Sequence, residues 1–311
     1  MFGIQLISGT SNKPLSEEIS SLVNVPLTSV IIKNFADGEK YVRVESTVRG
    51  ENIFIIQSVS PPVNDSLMEL LILIDSVKRG GASQINVIAP YLGYSRQDRK
   101  SKSREPISAK LIANMITSAG ANRLLVYDLH ADQIQGFYDI PVDHFLGFSI
   151  FAKYLLDKKL KNIVVVSPDV GGVKRANRLA DHMGAPIAII DKIRSKHNQS
   201  DVAHLVGDVK GKTAVIIDDI IDTGGSICNA VNEVKKKGAK KVIICASHAV
   251  LSGSAITNLQ QSVAKKIVFL NTIKLPSTLS NKFVSLTVAP VISDAILRIH
   301  QNKSLEPLFV N

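Results

Sequence analysis

The chain has 311 residues, 45% of them hydrophobic and 5% aromatic, with a formal net charge of +10 at pH 7 and two cysteines, Cys228 and Cys245. That length and hydrophobic content allow a large core, divided between two domains. Two cysteines exclude a disulfide scaffold and a four-cysteine zinc site and suit a reducing compartment, while scarce aromatics and the lack of tryptophan argue against a base-stacking platform for nucleic acid.

No apolar run approaches the length of a membrane span, and the opening MFGIQLISGTSNKP lacks the basic start and long apolar core of a signal peptide. A cytoplasmic location is the expectation. The basic runs KKLK (158–161) and KKKGAKK (235–241) fall at expected helix ends, where they favour the helix dipole and face water. The positive balance then suits small polyanionic substrates.

In chain order, the strand NIFIIQS (52–58) leads to a helix over 64–81, the strand INVIAPY (85–91), a helix over 108–120 and the strand RLLVYDL (123–129). The second half repeats the scheme. NIVVVSPD (162–169), a helix over 171–184, PIAIID (186–191), TAVIIDD (213–219), a helix over 225–238 and KVIICASH (241–248) follow one another. Short uninterrupted Val/Ile runs alternating with helical patterns predict an α/β fold, with parallel strands covered on both faces by helices. The domain join is expected near residues 139–148. The segments 95–106 and 193–204 are polar, rich in Arg and Lys and without a period, and are expected as basic loops after strands.

Ligands of open α/β sheets sit outside the carboxyl ends of the strands. In AVIIDDIIDTGGSI (214–227) the strand is expected to end at Ile217, with Asp218, Asp219 and Asp222 beyond it. Thr223, Gly224, Gly225 and Ser226 can then offer backbone N–H groups and hydroxyls to a phosphate at a helix N-terminus. The carboxylates suit ribose hydroxyls, directly or through a magnesium ion. In DVGGVKRA (169–176), Gly171 and Gly172 let the backbone approach a diphosphate, with Lys174 and Arg175 in the first helical turn. An ordinary strand-to-helix turn remains the alternative there. Taken alone, NFADGE (34–39) is a turn, and His130 is a structurally satisfied histidine at a strand end.

Residues 214–224, four apolar positions, two acids and later Thr-Gly, are similar to the phosphoribosyl-diphosphate (PRPP) signature of type I phosphoribosyltransferase-like proteins. With residues 34–39, 95–111, 128–141, 166–176, 190–194 and 272–276, the chain resembles the ribose-phosphate pyrophosphokinase family from end to end. The resemblance implies two phosphoribosyltransferase-like domains, each a mainly parallel sheet flanked by helices. Residues 1–142 would form the first and 143–311 the second, with the extreme C-terminus packing back on the first.

It also implies a reaction that supplies nucleotide biosynthesis: transfer of the β,γ-diphosphoryl group of ATP to the 1-hydroxyl of ribose 5-phosphate, releasing AMP. On that resemblance, Lys192 and Arg194 are catalytic, and Phe35, Asp37, Glu39, Arg96, Gln97, Asp98 and Arg99 bind ATP, the first three from a neighbouring subunit. Asp169, Gly171, Gly172, Lys174 and Arg175 form the diphosphate loop, and Asp218, Asp219, Asp222 and Thr223 to Ser226 hold ribose 5-phosphate. His130 and Asp169 would bind Mg2+. Ser103 and Arg104 would take an allosteric phosphate or the β-phosphate of ADP, activator and inhibitor of the phosphate-activated class, in a homohexamer built from dimers. The chain departs from the family where Ile193 and Ser195 replace an arginine and a proline, which leaves the spacing of Lys192 and Arg194 intact. Two other readings stay open: a phosphoribosyltransferase that consumes PRPP, needing neither residues 35–39 nor Lys192 and Arg194, and a catalytically silent family member acting as a scaffold or regulatory subunit.

Overall fold

A computed structural model describes residues 3–193 and 202–309. Within these, residues up to 146 together with 272–274 and the stretch from 287 onward form one unit, and residues 147–271 and 275–286 form the other.

Unit 1 begins with β1 (Ile4–Ser8), α1 (Lys13–Val23), the strands β2 (Val30–Asn34) and β3 (Lys40–Val44), β4 (Asn52–Ile56) and α2 (Val63–Arg79). It continues with β5 (Gln84–Ile88), α3 (Ser108–Ala119), β6 (Arg123–Tyr127), a 3-10 turn (Asp132–Phe137) and β7 (Val142–Phe145). Its five-stranded sheet runs β1-β4-β5-β6-β7, with every pair parallel. Ile53, Ile55, Val87, Leu124 and Val126 project to the face covered by α2 and α3, where Leu70, Leu73, Ile74, Ile112 and Ile116 meet them in one buried cluster. Their alternate neighbours Phe54, Ile56, Ile88, Leu125 and Tyr127 are buried too. Side chains buried on both faces are what a continuous Val/Ile run in a parallel sheet requires. β2 and β3 stand apart as an antiparallel hairpin, Asn34 pairing with Lys40 at the turn.

Unit 2 begins with α4 (Phe148–Asp157), β8 (Ile163–Ser167), α5 (Val173–Met183), β9 (Ile187–Ile193), β10 (Val202–Val206) and β11 (Thr213–Ile221). α6 (Gly225–Lys236), β12 (Lys241–Ala249), α7 (Ala255–Gln261), β13 (Lys266–Leu270) and β14 (Phe283–Leu286) complete it. The sheet order is β10-β9-β8-β11-β12-β13-β14, parallel throughout except for the antiparallel edge pair β9–β10. From β8 the chain moves outward to β9 and β10, then crosses back to β11 on the other side of β8 and proceeds to β14. The order reverses between β8 and β11, which opens a crevice at their carboxyl ends. The last helix, α8 (Ala289–His300), belongs to unit 1 and packs on α1.

Two expectations are corrected. The strand expected to stop at Ile217 runs on to Ile221, because β12 keeps pairing with it as far as Ile221 opposite Ala249. On its other edge β8 pairs only up to Ile216, so Asp218 and Asp219 stand in a strand whose other neighbour has already turned away. Of the segment expected as a loop from residue 193 to 204, Ile193 belongs to β9 and the residues from Val202 onward to β10. Strand pairing across the sheet edge satisfies backbone groups that a polar, aperiodic sequence gave no reason to pair. Arg194 and Ser195 lie outside the described residues, as does His197.

Candidate active site

In unit 2 the two loops that leave β8 and β11 carry the acidic and glycine-rich motifs, side by side at the reversal of strand order. After β8, the Ser167 hydroxyl donates to the Asp169 carbonyl (2.6 Å), and Asp169 Oδ1 accepts the Gly172 N–H (2.9 Å) at the start of α5. A Cβ on Gly172 would stand 2.9 Å from Ser167 Oγ, so the close turn requires a glycine here. Arg175, in the first turn of α5, reaches across to β11 and pairs with Asp218 (3.3 Å) and Asp219 (3.2 Å). A single guanidinium nitrogen, Nη1, touches both carboxylates and offsets charges that would otherwise repel. Asp218 Oδ1 also accepts the Asp219 N–H at 2.9 Å. Removal from water, and then the charge of Asp219, hold the Asp218 carboxyl well above the usual carboxylate range, against the pull of Arg175.

β11 ends in the turn to α6. Gly224 caps the helix at φ 77°, a left-handed conformation, so α6 begins at Gly225 with the exposed Thr223, Gly225 and Ser226 at its positive end. The Asn258 amide of α7 donates to the Thr223 carbonyl (3.4 Å) and braces the turn. Arg175 thus offsets the charge of the two carboxylates that precede the helix N-terminus in the chain.

In unit 1 the motif residues occupy three segments. The first is the β2–β3 turn. Phe35 donates its N–H to the Glu39 carbonyl (2.8 Å), and Asp37 Oδ1 accepts the Glu39 N–H (3.0 Å). Phe35 is 50% exposed, set edge-on to Tyr41 with ring centroids 5.6 Å apart. An exposed aromatic face beside two acceptors offers stacking together with hydrogen bonding.

The second segment follows β5. Gln97 accepts from Ser108 Oγ (2.5 Å), and its carbonyl accepts the Ala109 N–H, tying the segment to α3. Glu105 Oε2 accepts the N–H groups of Ser101 and Lys102, both at 2.8 Å. That turn presents Ser103 and Arg104 to solvent, Arg104 at φ 66°. Arg96 and Arg99 are exposed as well.

The third segment leaves β6, where Asp128 turns at φ 34°. The buried His144 of β7 accepts the Leu129 N–H at Nε2 (2.9 Å), so the backbone just before the exposed His130 is clamped from below. The second and third segments meet where Gln133 Nε2 donates to Asp98 Oδ2 at 3.2 Å.

The description "N-terminal domain of ribose phosphate pyrophosphokinase" matches residues 4–120, and "Phosphoribosyl transferase domain" matches residues 146–273. A ribose-phosphate pyrophosphokinase of Clostridium perfringens is 51% identical over 310 residues, covering 98% of this chain and 97% of the relative. That of Bacillus subtilis is 48% identical over 307 residues, covering 98% and 97%. The crystal structure of phosphoribosylpyrophosphate synthetase from Mycobacterium smegmatis superposes with a TM-score of 0.92 at 40% identity, covering 96% of this chain and 99% of that one. The chain belongs to the ribose-phosphate pyrophosphokinase family.

For a pyrophosphokinase the metal question is one of donor chemistry. Among the described residues no group of three or more His, Cys, Asp or Glu closes into a metal cage. Magnesium does not need one: it takes one or two protein oxygens and completes its shell with phosphate oxygens and water. Asp169 fits that pattern, an exposed carboxylate at a strand end with one oxygen held by the Gly172 N–H. His130, in unit 1, is exposed as well, and its imidazole is a less usual donor for this ion.

Lys192 lies in β9, its backbone opposite Ala203 in the edge pair with β10. Three side chains that support these segments carry no sequence signal: His144 beneath His130, and Lys40 with Glu69 beside the β2–β3 turn. Their partners are far apart in the chain, and only the fold brings them together. Of the cysteines, Cys245 is fully buried, whereas Cys228 is half-buried on α6. Burial pushes both thiols up, Cys245 far above its ordinary value.

Proposed function

We propose that this chain catalyses transfer of the β,γ-diphosphoryl group of ATP to the 1-hydroxyl of ribose 5-phosphate, giving PRPP and AMP. The observation that carries this reading is the reversal of strand order between β8 and β11, which sets the diphosphate loop and the Asp218-to-Ser226 loop at one crevice with Arg175 linking them. The 5-phosphate takes the N-terminus of α6, with N–H and hydroxyl donors from Thr223, Gly224, Gly225 and Ser226. Asp218, Asp219 and Asp222 address the ring hydroxyls, and residues 169–175 hold the diphosphate being transferred.

The anomeric oxygen attacks the β-phosphorus, and the bond from that phosphorus to the oxygen bridging the α-phosphate breaks. AMP departs with that oxygen. Lys192 and Arg194 stabilise the charge that develops, as transfers of this kind rely on positioning and electrostatics. Phe35, Asp37 and Glu39 hold the adenine of ATP bound mainly by a neighbouring subunit, and Arg96, Gln97, Asp98 and Arg99 hold the rest of the nucleotide. His130 and Asp169 would hold Mg2+ together with the ATP phosphates, and the ion supplies charge neutralisation there. Ser103 and Arg104 take inorganic phosphate as activator and the β-phosphate of ADP as inhibitor. The enzyme works in the cytoplasm as a homohexamer.

The test is AMP release from ATP with and without ribose 5-phosphate, in the presence of Mg2+. AMP and PRPP should form together, and only when both substrates are present. AMP formed without the sugar, or turnover only when PRPP and a nucleobase are supplied, would overturn the reading.

A further inference from the structure

The β2–β3 hairpin is fastened at two levels. At its base Val30, Ile32, Val42 and Val44 pack on the core of unit 1. Beside the turn the fastening is polar. Glu69, on the second turn of α2, is buried with its side chain 1% exposed, and Lys40, the residue directly after Glu39, pairs with it at 3.2 Å while itself only 15% exposed.

Glu69 is well provided with donors. Oε1 accepts the Thr10 N–H (2.7 Å) and Gln57 Nε2 (3.0 Å), and the Thr10 hydroxyl lies within 2.9 Å of both oxygens. Gln57 Oε1 in turn accepts from the N–H (3.1 Å) and hydroxyl (2.8 Å) of Ser11. The carboxylate is thus fixed by α2, by the loop after β1 and by the end of β4. Lys40 is the strand residue nearest the turn on β3, and it joins the hairpin to this fixed point.

We propose that Lys40 and Glu69 are positioning residues for ATP: their buried ion pair fixes the direction in which the turn presents Phe35, Asp37 and Glu39. The inference rests on the adenine reading of that turn given above. A hairpin held only at its base pivots, and a small displacement of a stacking ring and two acceptors costs affinity at the base they address. The pair touches no substrate. Its effect passes through Glu39, one residue away, and Tyr41, whose ring meets Phe35 edge-on.

The experiment compares steady-state kinetics and thermal unfolding of Lys40→Met, Lys40→Arg, Glu69→Gln and Phe35→Ala with the parent enzyme. Lys40→Met and Glu69→Gln should each raise KM for ATP about fivefold or more, leaving kcat and KM for ribose 5-phosphate within about twofold. Lys40→Arg should restore most of the loss. A rise confined to Lys40→Met would assign the lysine charge to ATP itself and refute the tie. KM values for both substrates climbing together as the unfolding temperature drops would refute it equally, since that marks general damage. Phe35→Ala separates the two levels. If it raises KM for ATP while Lys40→Met and Glu69→Gln match the parent, the tie alone fails; if it changes nothing, the adenine role of the turn fails and takes the tie with it.

Discussion

Arg175 offsets the charge of two adjacent acids in the loop proposed to hold the sugar phosphate. A cation favours the ionised form of a neighbouring carboxyl, so removing it should raise the Asp218 carboxyl further. Arg175→Gln is therefore expected to move the acidic limb of kcat/KM for ribose 5-phosphate to higher pH. The stability effect has a definite sign. A carboxyl whose folded value is already raised adds stability at low pH and loses it as pH rises through that value. The variant should fall furthest below the parent at neutral pH and least near about pH 4. Unfolding curves and rate profiles at several pH values check both, and a limb that stays in place would show that Arg175 does not govern the acids. Lys192→Ala should lower kcat by about 100-fold or more with smaller changes in KM, measured by AMP release; near-normal turnover removes Lys192 from catalysis. The Asp218-to-Ser226 loop was legible because its residue types, acids followed by Thr-Gly-Gly-Ser, state their chemistry locally. Lys40 and Glu69 were not, since a lone lysine and a lone glutamate 29 positions apart look like surface residues until α2 brings them together.

At the scale of elements, an uninterrupted apolar run is what announces a strand. NIFIIQS, RLLVYDL and NIVVVSPD read as strands because nearly every side chain is apolar, and each is one. β10 hides because VAHLV is short and edge-bound, with His204 and Val206 exposed. The far end of β11 hides for a different reason: two carboxylates interrupt the apolar run, yet β12 continues beside them. The β9–β10 pair brackets Lys192, and Gly207 closes it at φ 104°, where an added Cβ would meet the Ala188 Cβ and the Ile187 carbonyl, each at 2.9 Å. Gly207→Ala should destabilise the protein by about 1–3 kcal/mol. It should also depress kcat more than KM, because the strand that carries Lys192 shifts. Denaturant unfolding together with initial rates checks this, and an unchanged midpoint would show that the edge pair absorbs the methyl group.

For the whole molecule, no described helix is long and apolar enough to cross a membrane. Chelation of divalent ions should abolish AMP release and readdition of Mg2+ restore it, while the unfolding temperature without substrates stays nearly constant, since the described residues form no metal cage of their own. A drop in unfolding temperature on chelation would instead point to a structural ion. Light scattering should give a mass six times the chain's 33.7 kDa for a homohexamer. The return of α8 to unit 1 reaches beyond catalysis. Ala289, Ile292, Ala295 and Ile296 bury themselves there, and Thr287 Oγ1 donates to Glu18 on α1 at 2.8 Å. A ribosome making this chain releases α1 long before α8, the helix that packs on it, which is encoded some 270 codons later. The second unit can finish its own sheet before α8 is made, and until then α1 lacks that packing partner.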